Sequence, residues 1–97
     1  MLFAIHALDA PASLDQRMAL RPQHREYLGA IRDRTAFTGP LMADDGKTMI
    51  GSLMVMDFPD RGAAETWLAS EPFNKGGLFA SVAVYAYGGA PGPFQPE

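Results

Sequence analysis

Cysteine is absent from this chain of 97 residues, so it offers neither a disulfide framework nor a thiolate metal site. Nothing in it asks for an oxidising compartment, and a cytoplasmic protein is expected. Long apolar runs are missing as well: no stretch approaches the roughly 20 residues needed to cross a bilayer, and no membrane association is expected. Residues 1–8 are apolar, but they lack a basic flank and are interrupted by His6, which reads as a buried strand and not as a leader. Basic charge is scarce too. Eight Lys and Arg stand against eleven Asp and Glu, for a net charge of −3, and the arginines form no dense run, so nucleic-acid binding has no electrostatic footprint. Of the two histidines, His6 and His24, neither has companions at metal-ligand spacing, and Asp44 and Asp45 have no third oxygen ligand nearby. No metal and no cofactor are expected.

What remains is an ordinary globular balance, 47% apolar and 20% charged, in a length that suits one domain with one core. Residues 1–8 end at Asp9-Ala10-Pro11, the signature of a strand closed by a turn. Ser13 can cap a helical turn or two over residues 13–20, and Pro22 then interrupts the pattern, so the main helix is expected from Pro22 to about residue 34. In it His24, Leu28 and Ile31 share one face. Residues 35–42 form a weaker strand, in which Pro40 indicates an edge position. Asp45-Gly46 marks a hairpin leading into residues 48–58, the strongest strand pattern. Asp60 caps a second helix whose inward stripe is Ala64, Trp67 and Leu68. Glu71-Pro72 opens a short turn, Gly76-Gly77 ends it, and residues 78–87 form the last strand. A domain over residues 1–87 is expected, followed by a Gly- and Pro-rich tail over 88–97, with Phe94 its one large apolar side chain.

Strand, helix, strand, strand, helix, strand with right-handed crossovers predicts a ferredoxin-like β-α-β-β-α-β fold of the α+β class, with both helices on one face of a four-stranded antiparallel sheet. Residues 53–56 and 82–84 are apolar on both sides of the pleat, whereas two helices cover only one. A second copy is expected to cover the other face, because bare apolar patches beyond a few hundred Å² are rare on monomers. His6, in phase with Ala4 and Leu8, belongs either to the core or to that interface.

His24 lies on the apolar stripe. It is either a satisfied core histidine or a proton-transfer group, and the second reading needs a carboxylate to fix its tautomer. The topology brings Asp9, at the end of the first strand, and Glu71, just before the last, toward the same edge as His24. Each acid also has a structural reading: Glu71 as the cap of the short helix that follows, Asp9 as a turn residue. Arg17, Arg21 and Arg25 fall four apart and would face one side, cradling a carboxylate or phenolate, if the helix continued through Pro22.

Arg21-Pro22-Gln23-His24 followed by Tyr27-Leu28, Gly39-Pro40, Ala64-Glu65-Thr66-Trp67 and Glu71-Pro72-Phe73-Asn74-Lys75-Gly76-Gly77-Leu78 together resemble the YciI-like (YCII-related) proteins, over nearly the whole chain to Tyr87. The resemblance implies a dimeric α/β barrel, in which two sheets close face to face, and a histidine and aspartate acting as an acid/base dyad. The histidine corresponds to His24. The family's Asp-Pro-Tyr/Phe stands here as Glu71-Pro72-Phe73, with the carboxylate on an arm one methylene longer, and Asp9 matches a second acidic position of the relatives.

The expected function is therefore a small cofactor-free enzyme performing isomerisation, elimination or lactone-type chemistry on a small molecule. His24, Glu71 and Asp9 are its candidate catalytic residues, and Arg17, Arg21 and Phe73 its candidate substrate-binding residues. A non-catalytic dimeric metabolite-binding or interaction module is the alternative. The expected homodimer is checked by sedimentation velocity at micromolar concentration, where a monodisperse monomer would overturn it.

Overall fold

The computed structural model describes residues 1–89 and 92, so most of the Gly- and Pro-rich tail, with Phe94, lies outside the described residues. Four strands form one antiparallel sheet in the order β2-β3-β1-β4, comprising β1 (Leu2–Asp9), β2 (Thr35–Met42), β3 (Met49–Asp57) and β4 (Phe79–Tyr87). Between them run α1 (Leu14–Gly29), α2 (Arg61–Ala69) and the single turn α3 (Pro72–Lys75). The order is the expected ferredoxin-like one. Alternation along β1 divides the sheet into two faces: Phe3, Ile5 and Ala7 are buried, whereas His6 and Leu8 are exposed. Phe3 and Ile5 pair with Met56 and Met54 of β3, and with Ala64, Leu68 and Phe58 these make the core, while Ala7 pairs with Ser52. Trp67, Leu28 and Ile31 pack against its margin.

Ser13 precedes α1 but does not cap it with its side chain, since its hydroxyl donates to the Ala10 carbonyl, whereas other local signals operate as their chemistry requires. Asp60 Oδ1 accepts from the Ala63 amide at 2.8 Å and starts α2. Asp45 accepts from the amides of Lys47 and Thr48 at 2.8 and 2.9 Å, which makes it a turn residue. Gly77, at φ +76°, ends α3 in a conformation that other residues adopt at a cost. A Cβ on Gly51 would stand 2.3 Å from the Ala7 carbonyl oxygen, so only glycine fits where β3 passes β1 at that point.

The break expected at Pro22 does not occur. α1 runs through it and ends at Gly29, short of residue 34, and a separate 3-10 turn covers Arg32–Arg34. A proline removes one amide, here the one that would reach the Met18 carbonyl, and both Pro22 and Met18 are exposed, so water can satisfy that carbonyl. The turns on either side are held by Arg17 and His24, the two buried residues of the helix.

On the other face, Leu8, Phe37, Tyr85 and Tyr87 are exposed, and no helix among the described residues covers them. Phe37 and Tyr87, from the two outer strands, meet edge to face at 6.4 Å across this surface. Val55, on the same face of β3, is nonetheless buried. A register shift between Thr35 and Phe37 inserts one extra residue into β2, so Thr35 and Thr38, three apart, both lie on the helix-covered face.

Replacing Pro22 by alanine is expected to stabilise the protein by about 2 kcal/mol, the interior-helix penalty of proline less the freedom gained by the unfolded chain. A higher urea midpoint at unchanged m-value is the measurement, and an unchanged or lower midpoint would show that α1 depends on the proline.

Candidate active site

Because α1 continues through Pro22, its arginine row is intact: Arg17, Arg21 and Arg25 line one cavity together with His24. The cavity, of about 400 Å³, lies between α1 and the strands β2 and β3, with Thr35, Thr38 and Ser52 on the sheet side. That volume suits a small molecule of about one ring.

His24 is buried in the cavity wall, and its Nδ1 is hydrogen-bonded to Oε1 of the fully buried Glu71. Glu71 does not reach the cavity itself, so Nε2 is the ring nitrogen left for a ligand. The second Glu71 oxygen, Oε2, accepts from the Asn74 amide at 3.1 Å and caps α3. The capping and histidine-partner readings of Glu71 thus hold together, one on each oxygen. Asn74 Nδ2 donates to the Leu68 carbonyl at 3.0 Å, which ties α3 to the end of α2.

Phe73 sits between the two functional groups of α1. Its ring is stacked on the His24 imidazole, with centroids 3.9 Å apart and planes 14° from parallel. The Arg17 guanidinium carbon stands 4.5 Å from the Phe73 centroid, within cation-π distance. Arg17 is only 2% exposed. Its Nη atoms donate to Ser52 Oγ, at 3.3 and 2.6 Å, and to the Gly51 carbonyl.

Asp9 comes to the same end of the sheet but partners Arg17 and not His24. Its Oδ2 lies 3.2 Å from Arg17 Nε, with both side chains buried. The alignment falls short of a hydrogen bond, so both Asp9 oxygens and Arg17 Nε lack a bonded partner among the described residues. Burial pushes the Asp9 carboxyl above its ordinary value of 3.8, with the Arg17 charge opposing. Burial likewise lowers the Arg17 guanidinium, with the Asp9 charge opposing. The phenol of Tyr27, which donates to the Trp67 carbonyl at 2.7 Å, is raised by burial and then by the nearby Glu71 charge, and so stays a neutral strap between α1 and α2.

Among the residues not anticipated from sequence are Ser52, Thr35, Thr38 and Arg32, all of which line the cavity. Ser52 did leave a signal: it holds a core-facing position in a strand whose other core-facing residues, Met54 and Met56, are apolar. Thr38 left none, because its orientation depends on the bulge in β2. His6, open to the other face, takes no part in this site.

The sheet order and the pocket between helix and strands place the chain among the ferredoxin-like α+β domains that hold a small-molecule-sized cavity. Within that class it belongs to the YCII-related family, whose domain matches residues 1–87. It is 31% identical to the protein YciI of Escherichia coli O6:H1, over 87% of this chain and 93% of that protein. An uncharacterised protein of Haemophilus influenzae is 32% identical, again over 87% of this chain and 93% of its own length. Among solved structures, 5-chloro-2-hydroxyhydroquinone dehydrochlorinase (TftG) of Burkholderia phenoliruptrix AC1100, in complex with 2,5-dihydroxybenzoquinone, superposes with a TM-score of 0.86. It is 30% identical, over 93% of this chain and 96% of that one. No helix among the described residues is long and apolar enough to cross a membrane.

The raised Asp9 carboxyl has a sign that can be tested. Above pH 3.8 the folded protein holds that proton more tightly than the unfolded chain does, so this group's contribution to stability is greatest at low pH and declines as pH rises through the folded value. Asp9→Asn lacks the titration. Its stability relative to wild type, from urea unfolding at several pH values, is expected to improve steadily as pH rises from 3.8; a constant or declining difference would mean that the Arg17 charge outweighs the burial.

Proposed function

We propose that this protein is a small acid/base enzyme in which His24, oriented by Glu71, moves a proton to or from a small cyclic, anionic substrate in the cavity beneath α1. The observation that carries the reading is the Nδ1 bond from His24 to buried Glu71, which leaves Nε2 for the cavity side. A carboxylate on one nitrogen fixes the tautomer and raises the basicity of the other, as a general base requires. When the imidazole takes a proton, the charge that develops faces the Glu71 carboxylate behind it and the π-face of Phe73 beside it.

Arg21, Arg25 and Arg32 line the cavity with positive charge and would attract and orient an anion. Arg17 adds its charge from behind, held by Asp9, so Asp9 acts at one remove from the chemistry. The dehydrochlorinase activity named for TftG, at 30% identity over nearly the full length of both chains, supports elimination as the reaction class and a hydroxylated ring as the substrate class. A second copy of the chain covers the open sheet face in this reading, and Phe37, Tyr85 and Tyr87 supply its apolar surface.

The test is turnover of 5-chloro-2-hydroxyhydroquinone and related halogenated hydroquinones, followed by halide release. His24→Gln is expected to lose about 10²- to 10⁴-fold in kcat, the usual worth of a general base. Glu71→Gln is expected to lose most of the same factor with the fold intact, and Glu71→Asp to recover part of it. Unchanged kcat in His24→Gln would remove His24 as the base, whereas tight binding of the ring compounds with no turnover by the wild type would make the protein a binding module instead.

A further inference from the structure

Ser52 is a buried hydroxyl, 2% exposed, in the wall of the same cavity as His24. Its oxygen receives two hydrogen bonds from one guanidinium, from Nη1 of Arg17 at 3.3 Å and from Nη2 at 2.6 Å. A serine hydroxyl has two lone pairs and one proton to give. With the acceptor side turned to Arg17, the proton remains, and among the described residues Ser52 Oγ donates to none. Buried donors are rarely left unused. The cavity that Ser52 lines is the direction in which a partner can enter.

Arg17 lines the same cavity, but most of its donors are directed elsewhere. Its Nη2 also donates to the Gly51 carbonyl, its Nε faces Asp9, and one face of the guanidinium lies against Phe73. The hydroxyl it polarises is thus one route by which the buried positive charge acts on the cavity, with Asp9 as its counter-charge. A hydroxyl bonded to a cation is a stronger donor than a free one, and it is strongest toward an anionic acceptor.

We propose that Ser52 donates a hydrogen bond to an anionic oxygen of the bound molecule, and that the substrates are consequently small cyclic enols or phenols, of the hydroxyquinone kind, whose oxygen carries or gains negative charge. The inference rests on the acid/base reading of His24. In the proton-transfer step His24 Nε2 takes a proton from the substrate, and the electron pair left behind is delocalised onto the ring oxygen as an enolate or phenolate. The new N–H cation is balanced by Glu71 and the new oxygen anion by the Ser52 O–H, which keeps its proton. Phe73 separates the two positive groups, imidazolium and guanidinium, so that each can serve its own end of the substrate.

The experiment measures binding of 2,5-dihydroxybenzoquinone to the full chain by calorimetry, at one pH where the quinone is ionised and one where it is neutral. Ser52→Ala is expected to weaken binding of the ionised form by about tenfold or more, as loss of a hydrogen bond to a charged group does, and to spare the neutral form. Ser52→Thr, which keeps the hydroxyl, should restore affinity. If Ser52→Ala does not fold, Ser52→Cys, similar in shape and a weak donor, provides the same comparison. An equal loss at both pH values would mean that Ser52 only supports packing, and unchanged affinity would mean that it does not touch the ligand; either overturns the proposal while leaving His24 untouched. A wild type that binds the quinone at neither pH overturns the substrate class, whereas loss of the acid/base reading appears separately, as full turnover in His24→Gln.

Discussion

A carboxylate removed from water forfeits several kcal/mol unless its oxygens find donors, and Glu71 meets that demand by dividing them. One oxygen closes the first turn of α3 through the Asn74 amide, and the other holds the His24 ring. This single side chain makes the position of α3 and the orientation of the imidazole the same problem. Phe73, two residues on in the same turn, is thereby delivered flat against His24. The route from α2 to β4, which could have been a simple turn, is a rigid corner because a buried negative charge has to be satisfied there.

The second buried charge pair is built differently. Arg17 and Asp9 touch without good alignment, and the bonds of Arg17 go to Ser52 and the Gly51 carbonyl. Such a pair is weak evidence of stability, since the desolvation of both ions sets its attraction back. It does hold a permanent positive charge in a nearly dry wall, where its field falls off far less than it would in water. The site is thus arranged in two halves on either side of one aromatic ring, with a histidine and its carboxylate on one side and a guanidinium with its counter-ion on the other.

The fold could be read from residues whose effect is local: Asp60 at a helix start, Asp45-Gly46 in a hairpin, alternation along β1. The approach of His24 and Glu71 could be read because topology brings the first helix and the turn before the last strand to one edge. Three features could not. The continuity of α1 through Pro22 depends on the proline falling on a wet flank while Arg17 and His24 anchor the dry one, and that is settled by packing. Which acid meets which base was open on chain order, because Asp9 and Glu71 arrive at the same end of the sheet, and only the packed structure pairs Glu71 with His24 and Asp9 with Arg17. The threonines of β2 come to the cavity only through an irregularity in pairing that no residue announces.

Gly51 gives this arrangement a registration mark. Where β3 passes the Ala7 carbonyl there is no room for a Cβ, so neither Ile50 nor Ser52 can occupy that place without forcing the strands apart. Sliding β3 by one residue would turn Ser52 outward and Leu53 inward, exchanging a hydroxyl for an isobutyl group beside Arg17. The polarity of the pocket is thus set by strand phase as much as by composition. A chain that kept every charged and polar residue but lost this one hydrogen-sized gap could still build a sheet, and it would line the cavity with the wrong half of its own strand.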